Sequence, residues 1–125
     1  MHALHQTRWA VIVVLAHAGV AALHGAAHRQ LAIGLSQVQN IFVVLVITLA
    51  PLLSLVLLWR GFRQAGGWLL AASMLGSLIF GVYYHFVEMS PDHVSQTPTC
   101  AWGMVFQITA VVLAHLELCG LGIGG

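Results

Sequence analysis

The histidines carry the chemistry of this sequence. Eight of them occur in 125 residues, outnumbering the four arginines and the three acidic residues, and lysine is absent. His17, His24 and His28 are seven and four residues apart, a spacing that on a helix sets them within about 40° of one another on one face. Gln6 falls on the same stripe. A second stripe runs Ser73, Ser77, Gly81, His85 in steps of four, and Glu88 follows His85 by three. His-x-x-Glu puts two ligand groups on adjacent turns of one helix face. Asp92 and His93 follow in the next loop, and Asn40 opens another apolar stretch where it could add a hydrogen bond. A set of imidazoles with a carboxylate suits copper, iron, zinc or nickel. The expected metal ligands are therefore His24, His28, His85 and Glu88, with His93 or Asp92 in support.

A deeper pair suits a different cofactor. His17 and His115 lie on different apolar stretches, and two such imidazoles at similar depth can ligate haem b axially. His24 with His85 is the alternative axial pair. Met104, His115 and Cys119 share one stripe, with Ile108 and Val111 between them, while Glu117 points to roughly the opposite side. An acid at that depth is expensive, so Glu117 is expected to be protonated, paired or turned toward a partner subunit. The plainer reading of all these groups is a set of hydrogen bonds that lock helices together.

Other chemistries are missing. There is no phosphate loop, no nucleophile elbow and no Cys-x-x-Cys. Cys100 and Cys119 open and close one helical stretch, about 28 Å apart by helical rise, far beyond the roughly 7 Å that a disulfide tolerates. Four basic residues cannot build a phosphate-binding stripe, so no nucleic-acid partner is expected.

The elements that position the histidines follow from composition. The chain is 60% hydrophobic and 6% charged, where a soluble domain carries about a quarter charged residues. Four apolar stretches, 9–27, 38–59, 67–87 and 102–121, each approach the roughly 20 residues that cross a bilayer. Unpaired backbone is too costly in lipid, so these are helices. Trp9, Trp59, Trp68 and Trp102 sit at their ends, and Tyr83 and Tyr84 join the same interfacial belt. Short linkers predict an all-α, integral membrane, up-down-up-down four-helix bundle, one domain over 1–125. Pro51 kinks the second helix. Ser90-Pro91-Asp92-His93 reads as a turn or helix cap, and Thr97-Pro98 starts the fourth helix. The small residues Ser73, Ser77 and Gly81 predict close contact with another helix.

The first stretch, with Arg8 before it and Gly25-Ala26-Ala27 at its end, also fits a cleaved signal peptide; the expectation here is a retained helix. Arg8, Arg60 and Arg63 fall on one side and Arg29 alone on the other, which predicts both termini on the cytoplasmic side of the cell (inner) membrane. With each span centred, His24 lies about 10 Å above the midplane, His85 about 13 Å, and His28 and Glu88 near 16 Å. His17 lies near the midplane and His115 about 6 Å below it.

These observations predict a small membrane protein with a histidine/carboxylate metal site near the outer surface, for redox chemistry or metal handling. A haem-b electron-transfer protein and a non-catalytic accessory subunit are the alternatives. The expected partners are the lipid bilayer and a homo-oligomer or larger membrane complex. Transport is disfavoured, because four helices leave little room for alternating access. The residues name no reaction.

Overall fold

The computed structural model describes residues 2–125, with side chains from residue 4. All regular structure among the described residues is helical. Four long helices dominate: α1 (His2–Gln30), α2 (Gln37–Trp59), α3 (Arg63–Val87) and α4 (Ala101–Gly124), and each is long and apolar enough to cross a membrane. They overrun the expected stretches by a few residues at most ends, because polar turns such as His28–Gln30 continue a helix that hydropathy alone cuts at Ala27.

The local signals explain the ends. Ser36 caps α2 with a capping box: Gln39 N–H donates to Ser36 Oγ at 3.2 Å, and Ser36 N–H donates to Gln39 Oε1 at 2.7 Å. Gly61, at φ +89°, closes α2. Its N–H reaches Leu58 O and the next N–H reaches Leu57 O, the paired bonds of a Schellman end that favours glycine.

At Pro51 the structure shows a change of helix type in α2. The seven residues Val43–Leu49 form a π-helical segment, with Ala50 N–H bonded to Leu45 O five residues back. Proline lacks an N–H and its ring crowds the carbonyl four residues earlier, and a wider turn ahead of it relieves that crowding. The widened half of α2 packs on α3, whereas α1 packs substantially on α2 in the half beyond it, Ala50–Trp59.

The helix pairs are set by small residues and polar links. Gln6 Nε2 donates to Ile123 O, His17 meets Glu117, and His24 meets Thr109. Residue numbers rise on α1 as they fall on α4, so these two run in opposite senses. Ser73 and Ser77 are buried, their hydroxyls bonded back to Leu70 O and Ser73 O of their own helix. That satisfies the oxygens and leaves a narrow, buried face on α3, with Gly81 of the same stripe beside Glu117 of α4. At the far end the backbones nearly touch: a Cβ on Gly124 would lie 2.5 Å from Ala71 N and 2.6 Å from Gly67 O. Ala10, Val14, Leu58, Leu70 and Met74 form the apolar core beside this crossing. The outward surface is apolar, with Leu15, Leu45, Ile79 and Ile108 all more than half exposed, while His17, His24, His85, Thr109 and Glu117 are inside.

Candidate metal centre

His24 and His28 lie one turn apart near the end of α1. His85 comes to them from a second π turn, Tyr83–Val87, which ends α3 with Glu88 N–H bonded to Tyr83 O at 2.8 Å. One ring nitrogen from each of His24, His28 and His85 lies within 4.8 Å of the others. His24 Nε2 and His85 Nε2 are 3.2 Å apart. Two ligands about 2.0–2.1 Å from one tetrahedral ion are about 3.3–3.4 Å apart, so this pair is already at the spacing of a shared metal. Phe106, wholly buried on α4, packs against all three rings, with centroids 4.7, 5.1 and 5.3 Å from His24, His28 and His85.

The hydrogen bonds assign the protons. His28 Nδ1 lies 3.2 Å from Ile33 O and His85 Nδ1 lies 3.0 Å from Asp92 O. A carbonyl only accepts, so both Nδ1 atoms carry hydrogen. His24 Nδ1 is 2.7 Å from Thr109 Oγ1, whose own proton goes to Val105 O at 2.6 Å. Thr109 therefore accepts, and His24 Nδ1 is the donor. All three imidazoles in their neutral form then present a bare lone pair at Nε2. These tautomers are assigned from the network. Lone pairs consequently face each other across 3.2 Å between His24 and His85. The same holds for His28 Nε2, which lies 3.2 Å from Asp92 Oδ1. Each contact needs a proton or a metal ion between its two acceptors.

Asp92 supplies the negative charge. The Ser90–Pro91–Asp92–His93 turn, closed by His93 N–H to Ser90 O at 2.9 Å, folds it back over the end of α3. Its carboxylate is buried, and Oδ1 is also 3.2 Å from His85 Nδ1. Among the described residues neither carboxylate oxygen has a hydrogen-bond partner of good geometry. A buried carboxylate so placed is costly unless a cation compensates it.

The remaining candidates lie elsewhere. Glu88 does not share the face of His85: α3 ends at Val87, Glu88 is extended (φ −77°, ψ 122°), and its side chain is exposed. The stripe argument assumed α spacing through a position where the chain has left the helix. His93 is not among the clustered imidazoles and caps a short turn, accepting Ser95 N–H at 3.1 Å. His115 is exposed on α4 and bonded to Val111 O, so His17 and His115 do not approach as an axial pair. Met104 and Cys119, on its stripe, are exposed as well. His17 pairs instead with Glu117, Nε2 to Oε1 at 3.1 Å, both buried. Asn40 donates to Leu35 O.

Sequence reasoning passed over Thr109 and Phe106. Their signal was the inward stripe of α4, Gly103, Phe106, Thr109, Ala110, Leu113, Glu117 and Gly120, which pairs small residues with the helix's one acid. Beside the triad a cavity of about 610 Å³ opens among the four helices, lined by His24, His28, His85, Asp92 and Glu117 and otherwise largely by apolar side chains. No protein-family model matches the chain, and neither does any curated protein or solved structure.

Proposed function

We propose that this chain is a small integral membrane protein that binds a transition metal through His24, His28 and His85, with Asp92 neutralising its charge, for redox chemistry or metal handling. The four helices cross the bilayer up-down-up-down with both termini on the cytoplasmic side. An apolar exterior around a polar interior is what lipid selects, and three of the four arginines favour that orientation.

The observation that carries the metal reading is the pair of lone-pair contacts at 3.2 Å. Two extra protons would satisfy the same contacts, but they would place two imidazolium charges on rings as close as 4.9 Å, with only Asp92 in direct contact to balance them. A single ion between the Nε2 atoms answers both contacts at once. Each Nδ1–H is meanwhile anchored to an oxygen, the arrangement that orients histidine ligands toward a metal. The haem alternative draws less support: His115 is turned outward, and the Nε2 atoms of His24 and His85, 3.2 Å apart, are closer than the roughly 4 Å that two axial nitrogens span across one iron.

The test is metal content and a visible spectrum of the purified protein in mild detergent. Stoichiometric copper, iron or zinc without a Soret band is expected, and His24→Ala and His85→Ala should each abolish it. Metal at the wild-type level in both variants, or none in the wild type after reconstitution, would sink the assignment.

A further inference from the structure

We propose that the cavity beside the triad binds a lipid-soluble molecule with a hydroxyl head, a phenol or hydroquinone, whose oxygen sits against Gly81 between Glu117 and His85. The proposal rests on the membrane-spanning reading of the helices and is independent of whether the triad holds metal.

The seat is defined by a missing side chain. The position a Cβ would take on Gly81 lies 3.9 Å from Glu117 Oε2 and 3.9 Å from His85 Cδ2, with nothing closer. Glu117 is held from the other side, its Oε1 3.1 Å from His17 Nε2. The carboxylate is thereby fixed with its second oxygen toward the cavity that Glu117 lines. A carboxylate oxygen so placed accepts from a hydroxyl. At this seat an anionic head would meet the Glu117 carboxylate, since the one arginine that lines the cavity, Arg29, lies beside Gly25 instead.

The rest of the cavity suits an apolar body. Ala21, Val43, Ile47, Phe80, Leu113 and Ala114 line it, and at about 610 Å³ it falls within the range of sites that take a small organic ligand. We infer a lateral entrance: α1 packs substantially on α2 only over Ala50–Trp59, not along the π segment, and Gly25 offers no side chain to close the gap, since a Cβ there would meet only Arg29 Nη1 at 4.0 Å. In a bilayer that gap faces acyl chains, so the ligand arrives from lipid. His17 and Glu117 are otherwise a buried polar pair that the metal site does not use.

The experiment uses the full chain in lipid nanodiscs, with 4-pentylphenol and pentylbenzene as probes, by equilibrium dialysis against empty nanodiscs. Each protein is measured metal-free and copper-loaded, so that loss of metal and loss of ligand are separate results. The expected result is saturable binding of the phenol, about tenfold tighter than pentylbenzene, with or without copper. Gly81→Ala, whose methyl meets only ordinary contacts, should keep the melting temperature and copper content and bring the two probes to similar affinity. Ala114→Leu should weaken both probes. The proposal is overturned by no saturable excess over empty nanodiscs, by equal affinity of the two probes in the wild type, by a preference that survives Gly81→Ala, or by binding unchanged in Ala114→Leu.

Discussion

Thr109→Val isolates the role of proton placement at the metal centre. The substitution keeps the shape of the side chain and removes one oxygen, the acceptor 2.7 Å from His24 Nδ1. Nothing else of Thr109 is lost to the site, because its own proton serves only carbonyls of α4, Val105 O and Phe106 O. His24 is buried, so an orphaned Nδ1–H costs about 1–3 kcal/mol. The metal-free variant has an escape. It moves the proton to Nε2 and donates it across the 3.2 Å gap to His85 Nε2. Metal binding must then reverse that tautomer against the same cost, while the wild type starts in the competent form. At 1.4 kcal/mol per decade, affinity should fall about 10- to 100-fold, with little change in melting of the metal-free protein. Thr109→Ser restores the acceptor and should recover most of the loss. Chelator-competition titration measures the affinity, and detergent-phase melting controls for folding. A folded Thr109→Val protein that binds within about twofold of the wild type would refute the tautomer argument, even if the triad binds metal.

Other outcomes follow from single contacts. Asp92→Asn removes the buried charge beside His28 and His85 and should lower metal affinity by about tenfold or more, whereas Glu88→Gln, at an exposed position, should leave it unchanged in the same titration. Gly103→Ala should destabilise the start of α4 by several kcal/mol, seen as a large drop in melting temperature, because its Cβ would fall 1.9 Å from the Pro98 carbonyl oxygen, backbone that cannot step aside. Cys100 and Cys119 are both exposed at opposite ends of α4. An impermeant thiol reagent applied to sealed cells should label Cys100 and spare Cys119; the reverse pattern would invert the proposed orientation.

The sequence disclosed the parts of this site that depend on regular helical rise. The depths of His24 and His85 come from counting 1.5 Å per residue, and those two imidazoles do meet. The small-residue face of α3 was equally readable, since Ser73 and Ser77 had no other economical place in an apolar helix. What escaped was departure from α geometry. Nothing in Tyr83–Val87 marks a π turn, so Glu88 was placed on a face that the helix never continues, and Asp92, held in support, is the carboxylate that the turn delivers. Rotation of α4 was the other hidden quantity. Its two acid-base residues, His115 and Glu117, point apart by sequence, but only packing shows that Glu117 is the inward one and His17 its partner. The second half of each imidazole's bonding, to Thr109 and the Ile33 carbonyl, depends on contacts between elements that hydropathy does not register.

The wide turn at Tyr83–Val87 makes chain length a constraint alongside residue identity. A π turn accommodates one residue more than the α turn it replaces. Removing a single residue after His85, such as the exposed Phe86, would let α spacing resume, with the bond from Glu88 N–H to Tyr83 O kept as an ordinary four-residue step, so the chain beyond would hold its place. Adding a residue there is different, because the wide turn has already absorbed its extra one: everything beyond would be advanced by about 100° and about 1.5 Å. The Ser90–His93 turn would swing with it, carrying Asp92 off His28 and His85. The segment therefore tolerates change unevenly: a shortened chain finds a regular helix to fall back on, whereas a lengthened one is as damaging as loss of a ligand.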